Sequence, residues 1–220
     1  MAQIGEDLFL LLLDNASLEP ALERERRERV LAAAVILDLA YACRIRPAVP
    51  GEPVEAGRLI ALAGGAPTDP IVEPAYQLLH QKPLWPDTAV AKLRKGVQES
   101  VATHLERLGE VTQVSGPAKR FGSSRSWQLA HRERAGLARA ALMSALFDRQ
   151  PPTPSTAGIV TVLHWADGLG ALLSLNDRGW RWVHARASEI ASGSWVHEYP
   201  TAMPEMNLAV TASALRSSLS

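Results

Sequence analysis

Six histidines, at positions 80, 104, 131, 164, 184 and 197, are the residues best able to bind a metal or move a proton near neutral pH. No two stand three or four apart, so no helix carries the paired face that a helical zinc site needs. His164 and Asp167 lie one turn apart and can hydrogen-bond. No nucleophile is near them in sequence, and a polar pair satisfied inside a helical bundle is the plainer reading. Ala63-Gly-Gly-Ala-Pro-Thr68 lacks the lysine and the strand of a phosphate-binding loop, and no Gly-x-Ser-x-Gly turn occurs. The single Cys43 excludes an internal disulfide and a thiolate cluster. Set in an apolar run, it reads as a small core residue in a reducing compartment. These residues predict no enzyme, no metal and no cofactor.

The other chemistry on offer is cationic. Net charge is zero, yet Lys92 to Arg134 holds nine Lys or Arg against four Glu. A local excess of that kind suits an anionic partner. The run Glu23-Arg-Glu-Arg-Arg-Glu-Arg29 places Arg27 and Arg29 among three glutamates, a composition that also suits i,i+4 pairs on a solvated helix face. Lys92 lies one helical turn before Lys95. Lys119-Arg120-Phe121 and Arg125-Ser-Trp127 set cations beside aromatic rings in a turn-bearing segment. That composition suits a membrane interface, or a contact with another subunit anchored by Trp127; Trp127 covering its own core is the bland alternative.

The elements that must position these groups are mostly helices. With three Phe and three Tyr, the core must come from Leu, Ala and Val. Helices are expected at about 6–13, 22–43, 70–80, 86–93, 95–108, 133–147, 156–174 and 178–192. The second, apolar all round from Val30 to Leu37, belongs at the centre of a bundle. Residues 46–58 read as a loop or short irregular hairpin, and 110–130 as two strands around a Gly/Ser turn. From Trp195 onward the chain reads as weakly helical, and its Ser/Ala-rich last ten residues suggest fraying. The expectation is one mainly α domain over 1–200, with a central apolar helix, a protruding β-hairpin at about 110–130, and a weakly ordered tail over 201–220.

Residues 1–13 carry Glu6 and Asp7 instead of the basic start of a signal peptide. The longest weakly polar stretch, Gly158 to Leu175, contains His164 and Asp167 near its middle, which favours a buried helix over a span. A cytoplasmic chain is expected, with any membrane contact peripheral and on the inner face.

In order, the segments resemble the Golgi phosphoprotein 3 family, in its bacterial branch. Glu6-Asp-Leu-Phe-Leu-Leu-Leu-Leu-Asp14 is similar to its opening of two acids, a Leu-rich run and Asp. Leu31 to Ile45 is similar to its central helix, with Asp38 and Arg44 in register. Ala66-Pro-Thr-Asp-Pro-Ile-Val-Glu-Pro-Ala75 resembles its Pro-Thr-Gly-Asp turn. Val97 to Val111, Arg125-Ser-Trp127, Gly158 to Ala171 and Arg186 to Trp195 follow in the family's order.

The resemblance implies a helical fold with a hairpin used in self-association. In eukaryotic members it also implies phosphatidylinositol 4-phosphate binding and capture of glycosyltransferase tails. Of the four head-group residues it implies, the helix Arg falls on Ala32 and the Trp near Glu23, while the two basic residues fall on Lys95 and Gln98. One of four is kept; Lys92, Arg29 and Arg27 are the substitutes. The resulting expectation is a non-enzymatic, adaptor-like homo-oligomer meeting anionic phospholipid and a protein partner, with no nucleic acid. The alternative is a winged-helix DNA-binding module over 86–130, in which the second helix would enter the major groove.

Overall fold

Every residue of helix α2 (Arg24–Tyr41) from Val30 to Ala40 is buried, so α2 is the axis on which the other helices pack. The computed structural model describes residues 3–14, 21–64, 69–114, 126–198 and 203–219. Packed on α2 are α1 (Gln3–Leu13), α4 (Pro86–Arg107), α6 (Pro154–Trp165) and α8 (Met203–Leu219). Outside these lie α5 (Glu133–Phe147), against α1 and α6, and α7 (Asp177–Ala191), chiefly against α6. The short α3 (Glu73–Gln81) sits by β2 and α4.

Among the described residues there are also two antiparallel hairpins. β1 (Ile45–Pro47) pairs with β2 (Leu59–Ala61), and β3 (Val111–Val114) pairs with β4 (Ser126–Leu129), with Gln113 opposite Trp127. The first is the irregular hairpin expected around 46–58. The fold is mainly α, with the central apolar helix where the sequence puts it.

Small residues set the spacing of this bundle. Ala32, Ala33 and Ala34 are wholly buried. At Gly158 of α6, a Cβ would lie 3.0 Å from Ile4 Cδ1 on α1, so glycine permits the close approach of these helices. Asp38, buried on α2, accepts hydrogen bonds from the Ile4 and Gly5 backbone N–H groups at 2.9 Å each. It thereby caps α1 from another helix, satisfying donors that α1 cannot satisfy itself. Burial pushes its carboxyl well above the usual range.

Two differences from the sequence expectation, at the end of α6 and in the C-terminal segment, have local causes. The helix expected over 156–174 ends at Trp165, because Asp167 takes φ +50°, and only a 3-10 turn at Leu169–Ala171 follows. The two helical stretches expected at 86–93 and 95–108 are both present: α4 is divided by a kink where Lys95 (ψ 110°) and Gly96 (φ +91°) leave helical geometry. The tail expected to be weakly ordered contains α8, which buries Leu208, Ala212, Leu215 and Leu219. That spacing of four, three and four is one helical face; Ser and Ala around it disguise an amphipathic helix. Among the described residues, no helix is long and apolar enough to cross a membrane.

Candidate functional site

The first turns of α2 are held by their own charges. No side chain caps the helix at Glu23, but Arg24 pairs with Glu28 at 2.8 Å and Arg29 approaches Glu25 at 3.9 Å. These are the i,i+4 pairs the charged run suggests. Arg27 turns inward instead and is 9% exposed. Its Nε donates to Gln98 Oε1 at 2.8 Å and its guanidinium also donates to the Leu22 carbonyl at 2.7 Å. Burial draws its pKa down, opposed by Glu28, yet a guanidinium remains a cation at any physiological pH.

Gln98 stands just beyond the bend of α4, and on the near side Arg94 reaches back to Glu25 of α2 at 2.6 Å. Arg94 holds the Glu25 carboxyl below its ordinary value, through a hydrogen bond first and its charge second. Lys92 and Lys95 flank Arg94 and are exposed; among the described residues neither makes an ion pair. The structure therefore joins Arg27 to Gln98, and sets Arg29 and Arg94 on one glutamate. Counting residues 23–29 and 92–95, seven Lys or Arg face three Glu. Arg94 and Glu25, the link between the two helices, carry no signal in the sequence that marks them as partners.

The hairpin candidates fare differently. Lys119, Arg120, Phe121 and Arg125 lie outside the described residues. Trp127 is in β4 and 2% exposed, packed into the core of its own fold. It offers no free face to a membrane or a second subunit.

Other polar groups singled out by the sequence serve the scaffold. Arg134 of α5 bridges Glu6 at 2.6 Å and Asp7 at 2.8 Å, and Arg139 binds Asp14 at 3.0 Å, so both ends of α1 are tied to α5. Arg186, 3% exposed, donates to the Ala145 carbonyl at the end of α5 and pairs with Glu189. His164 does not turn to Asp167. Its Nε2 lies 3.0 Å from Ser188 Oγ on α7, while Nδ1 is buried without a hydrogen bond. Burial lowers the His164 pKa, helped by the neighbouring charges of His184 and Arg216. A serine–histidine contact with no group orienting Nδ1 lacks the third member of a nucleophilic triad. Among the described residues, no group of three His, Cys, Asp or Glu is arranged for a metal ion.

The segment of α4 after the bend buries Val97, Val101, Ala102 and Leu105. Its exposed residues Ser100, Glu106 and Arg107 include one acid and one cation, too little positive charge for a helix that reads DNA.

A family model described as Golgi phosphoprotein 3 (GPP34) matches residues 4–203. Among curated proteins no relative matches.

Proposed function

The chain belongs to the Golgi phosphoprotein 3 family, and we propose that it is a non-enzymatic peripheral protein whose cationic seam between α2 and the bend of α4 holds the phosphate of an anionic lipid head group. The observation that carries this is the Arg27–Gln98 contact at 2.8 Å, which ties the charged start of α2 to the bend beside Lys95. A phosphate is best held by two or more Lys or Arg acting together. Arg27 and Gln98 supply a fixed frame, and Lys92 and Lys95 supply exposed ammonium groups. The helical segment that restarts after Gly96 adds the positive end of its dipole and first-turn backbone N–H groups.

Co-sedimentation with vesicles tests the reading. Anionic vesicles, with and without phosphatidylinositol 4-phosphate, should retain the protein better than neutral ones. The double variant K92A/K95A should lose at least about tenfold in partition, since each cation near an anionic surface contributes about 1 kcal/mol. Retention unchanged by that double variant would count against the seam.

Self-association through β3–β4 and the chain between them is the second part of the proposal. β3 and β4 rest on α4 and α1, and the chain between them carries Lys119, Arg120, Phe121 and Arg125. Sedimentation equilibrium of a variant with residues 116–124 replaced by a short Gly-Ser turn checks it; an oligomer surviving that replacement would exclude the hairpin as the contact.

A further inference from the structure

Between the start of α1, the outer turn of α5 and the start of α6 lies a cavity of about 260 Å³. It stands apart from the α2–α4 seam. Its lining divides into two kinds of surface. Asp7, Arg134, Thr153 and Ser155 make a polar end, and Leu137, Leu142 and Ile159 contribute an apolar wall.

The polar end carries more acid than base. Arg134 is spent on two carboxylates, Glu6 at 2.6 Å and Asp7 at 2.8 Å. Glu6 lies almost wholly buried behind the cavity, and its Oε1 has no hydrogen bond, with His104 Nε2 at 3.6 Å. Asp7 is 8% exposed. Arg134 Nε donates to Oδ1, Ser155 Oγ donates a long hydrogen bond to Oδ2 at 3.5 Å, and the Gln3 side chain contributes a further hydrogen bond to the carboxyl. A carboxylate can accept about four hydrogen bonds, so Asp7 keeps acceptor capacity toward the cavity. An anion would meet the Asp7 carboxylate, with that of Glu6 buried behind it, and a guanidinium already engaged. A donor-bearing cation would meet the excess charge, with the Ser155 hydroxyl as a further acceptor, while Thr153 Oγ1 is engaged in capping α6 at the Thr156 N–H. On the apolar side, Leu137 is 67% exposed, and an aliphatic body placed there would cover it.

We propose that this cavity binds a small primary amine with a short aliphatic chain, its ammonium group held by Asp7 and its chain laid along Leu137, Leu142 and Ile159. The volume lies below the roughly 300–1,000 Å³ of sites for drug-sized ligands, so the occupant is small. The charge-assisted contact to a buried carboxylate is the specificity element.

The test is a titration of the full chain with n-pentylammonium, n-pentanol and pentanoate, followed by methyl NMR of Leu137 and Ile159. Saturable shifts with the ammonium, at least about tenfold tighter than with the alcohol, and none with the carboxylate are expected. Asp7→Asn should weaken ammonium binding at least about tenfold. Because that change disturbs a buried ion pair, Ala141→Phe serves as the second variant: Ala141 of α5 also lines the cavity, so the larger ring fills it, leaves Asp7 and Arg134 in place, and should abolish the shifts. No saturable shift with pentylammonium, equal binding of pentanol, tighter binding of pentanoate, or binding that survives Ala141→Phe would each overturn the assignment.

Discussion

Arg27 Nε lies 2.8 Å from Gln98 Oε1, across 71 positions of sequence, and this contact joins the charged head of α2 to the bend of α4. Neither residue is free to meet a ligand by long excursions. Their contact fixes the frame on which Lys92, Arg94 and Lys95 stand, so stability and surface charge are divided between different residues of one region.

That division is testable. Arg27→Ala removes a mostly buried guanidinium and leaves the Gln98 side chain without its partner; a loss of about 1–3 kcal/mol in chemical denaturation is expected. Lys92→Ala and Lys95→Ala, at exposed positions, should each change stability by less than about 0.5 kcal/mol. A lysine variant as destabilising as the arginine variant would contradict the division.

The bend depends on Gly96. Its φ of +91° is a conformation that side chains disfavour, while a Cβ there would meet nothing within 4 Å. Gly96→Ala should therefore cost about 1–2 kcal/mol through the backbone alone, read as a shift of the thermal midpoint. No shift would mean that α4 straightens without penalty.

Arg134 pairs with both Glu6 and Asp7 in a nearly buried cluster. Burial already raises Asp7 above the usual carboxylate range, in spite of the opposing Arg134 charge. Removing the cation strands two carboxylates, so Arg134→Leu is expected to cost about 3–5 kcal/mol in urea unfolding. A near-neutral result would show that the cluster relaxes into water.

His164 gives a pH dependence with a definite sign. Its folded pKa is depressed by burial first, then by His184 and Arg216. The unfolded chain thus binds the proton more readily than the folded one. The stability it contributes is complete above the ordinary histidine value of about 6.5 and is lost as pH falls through and below it. Urea midpoints measured from pH 7.5 down to 5.5 should decline, and His164→Asn should flatten that decline. A slope identical in the variant would assign the effect to other groups.

How much of this was legible in the sequence follows from the range of each interaction. The Arg24–Glu28 pair and the apolar run Val30–Leu37 are local and periodic, and both appear where expected. The Lys95–Gly96 bend was visible as a break between two helical patterns. Contacts such as Arg134 with Glu6 and Asp7, or Asp38 with the start of α1, join distant segments and leave no local pattern. The opening acids read as a family mark; packing makes them an ion-pair cluster. α8 reads from sequence as only weakly helical, because its four buried anchors are diluted by Ser and Ala. Trp127 carried two outward roles as well as a core one, and the pairing of β4 with β3 turns it inward.

The central claim is that the α2–α4 seam meets an anionic lipid surface. The measurement closest to it is the partition of the full chain onto vesicles of 30% anionic phospholipid against neutral vesicles, from about 50 to 300 mM salt. Partition onto the anionic vesicles should exceed that onto the neutral ones and fall steeply with salt, because exposed lysines act through a screened field. The K92A/K95A protein should lie near the neutral baseline throughout. Equal partition onto both vesicle types, or binding indifferent to salt, would contradict the account.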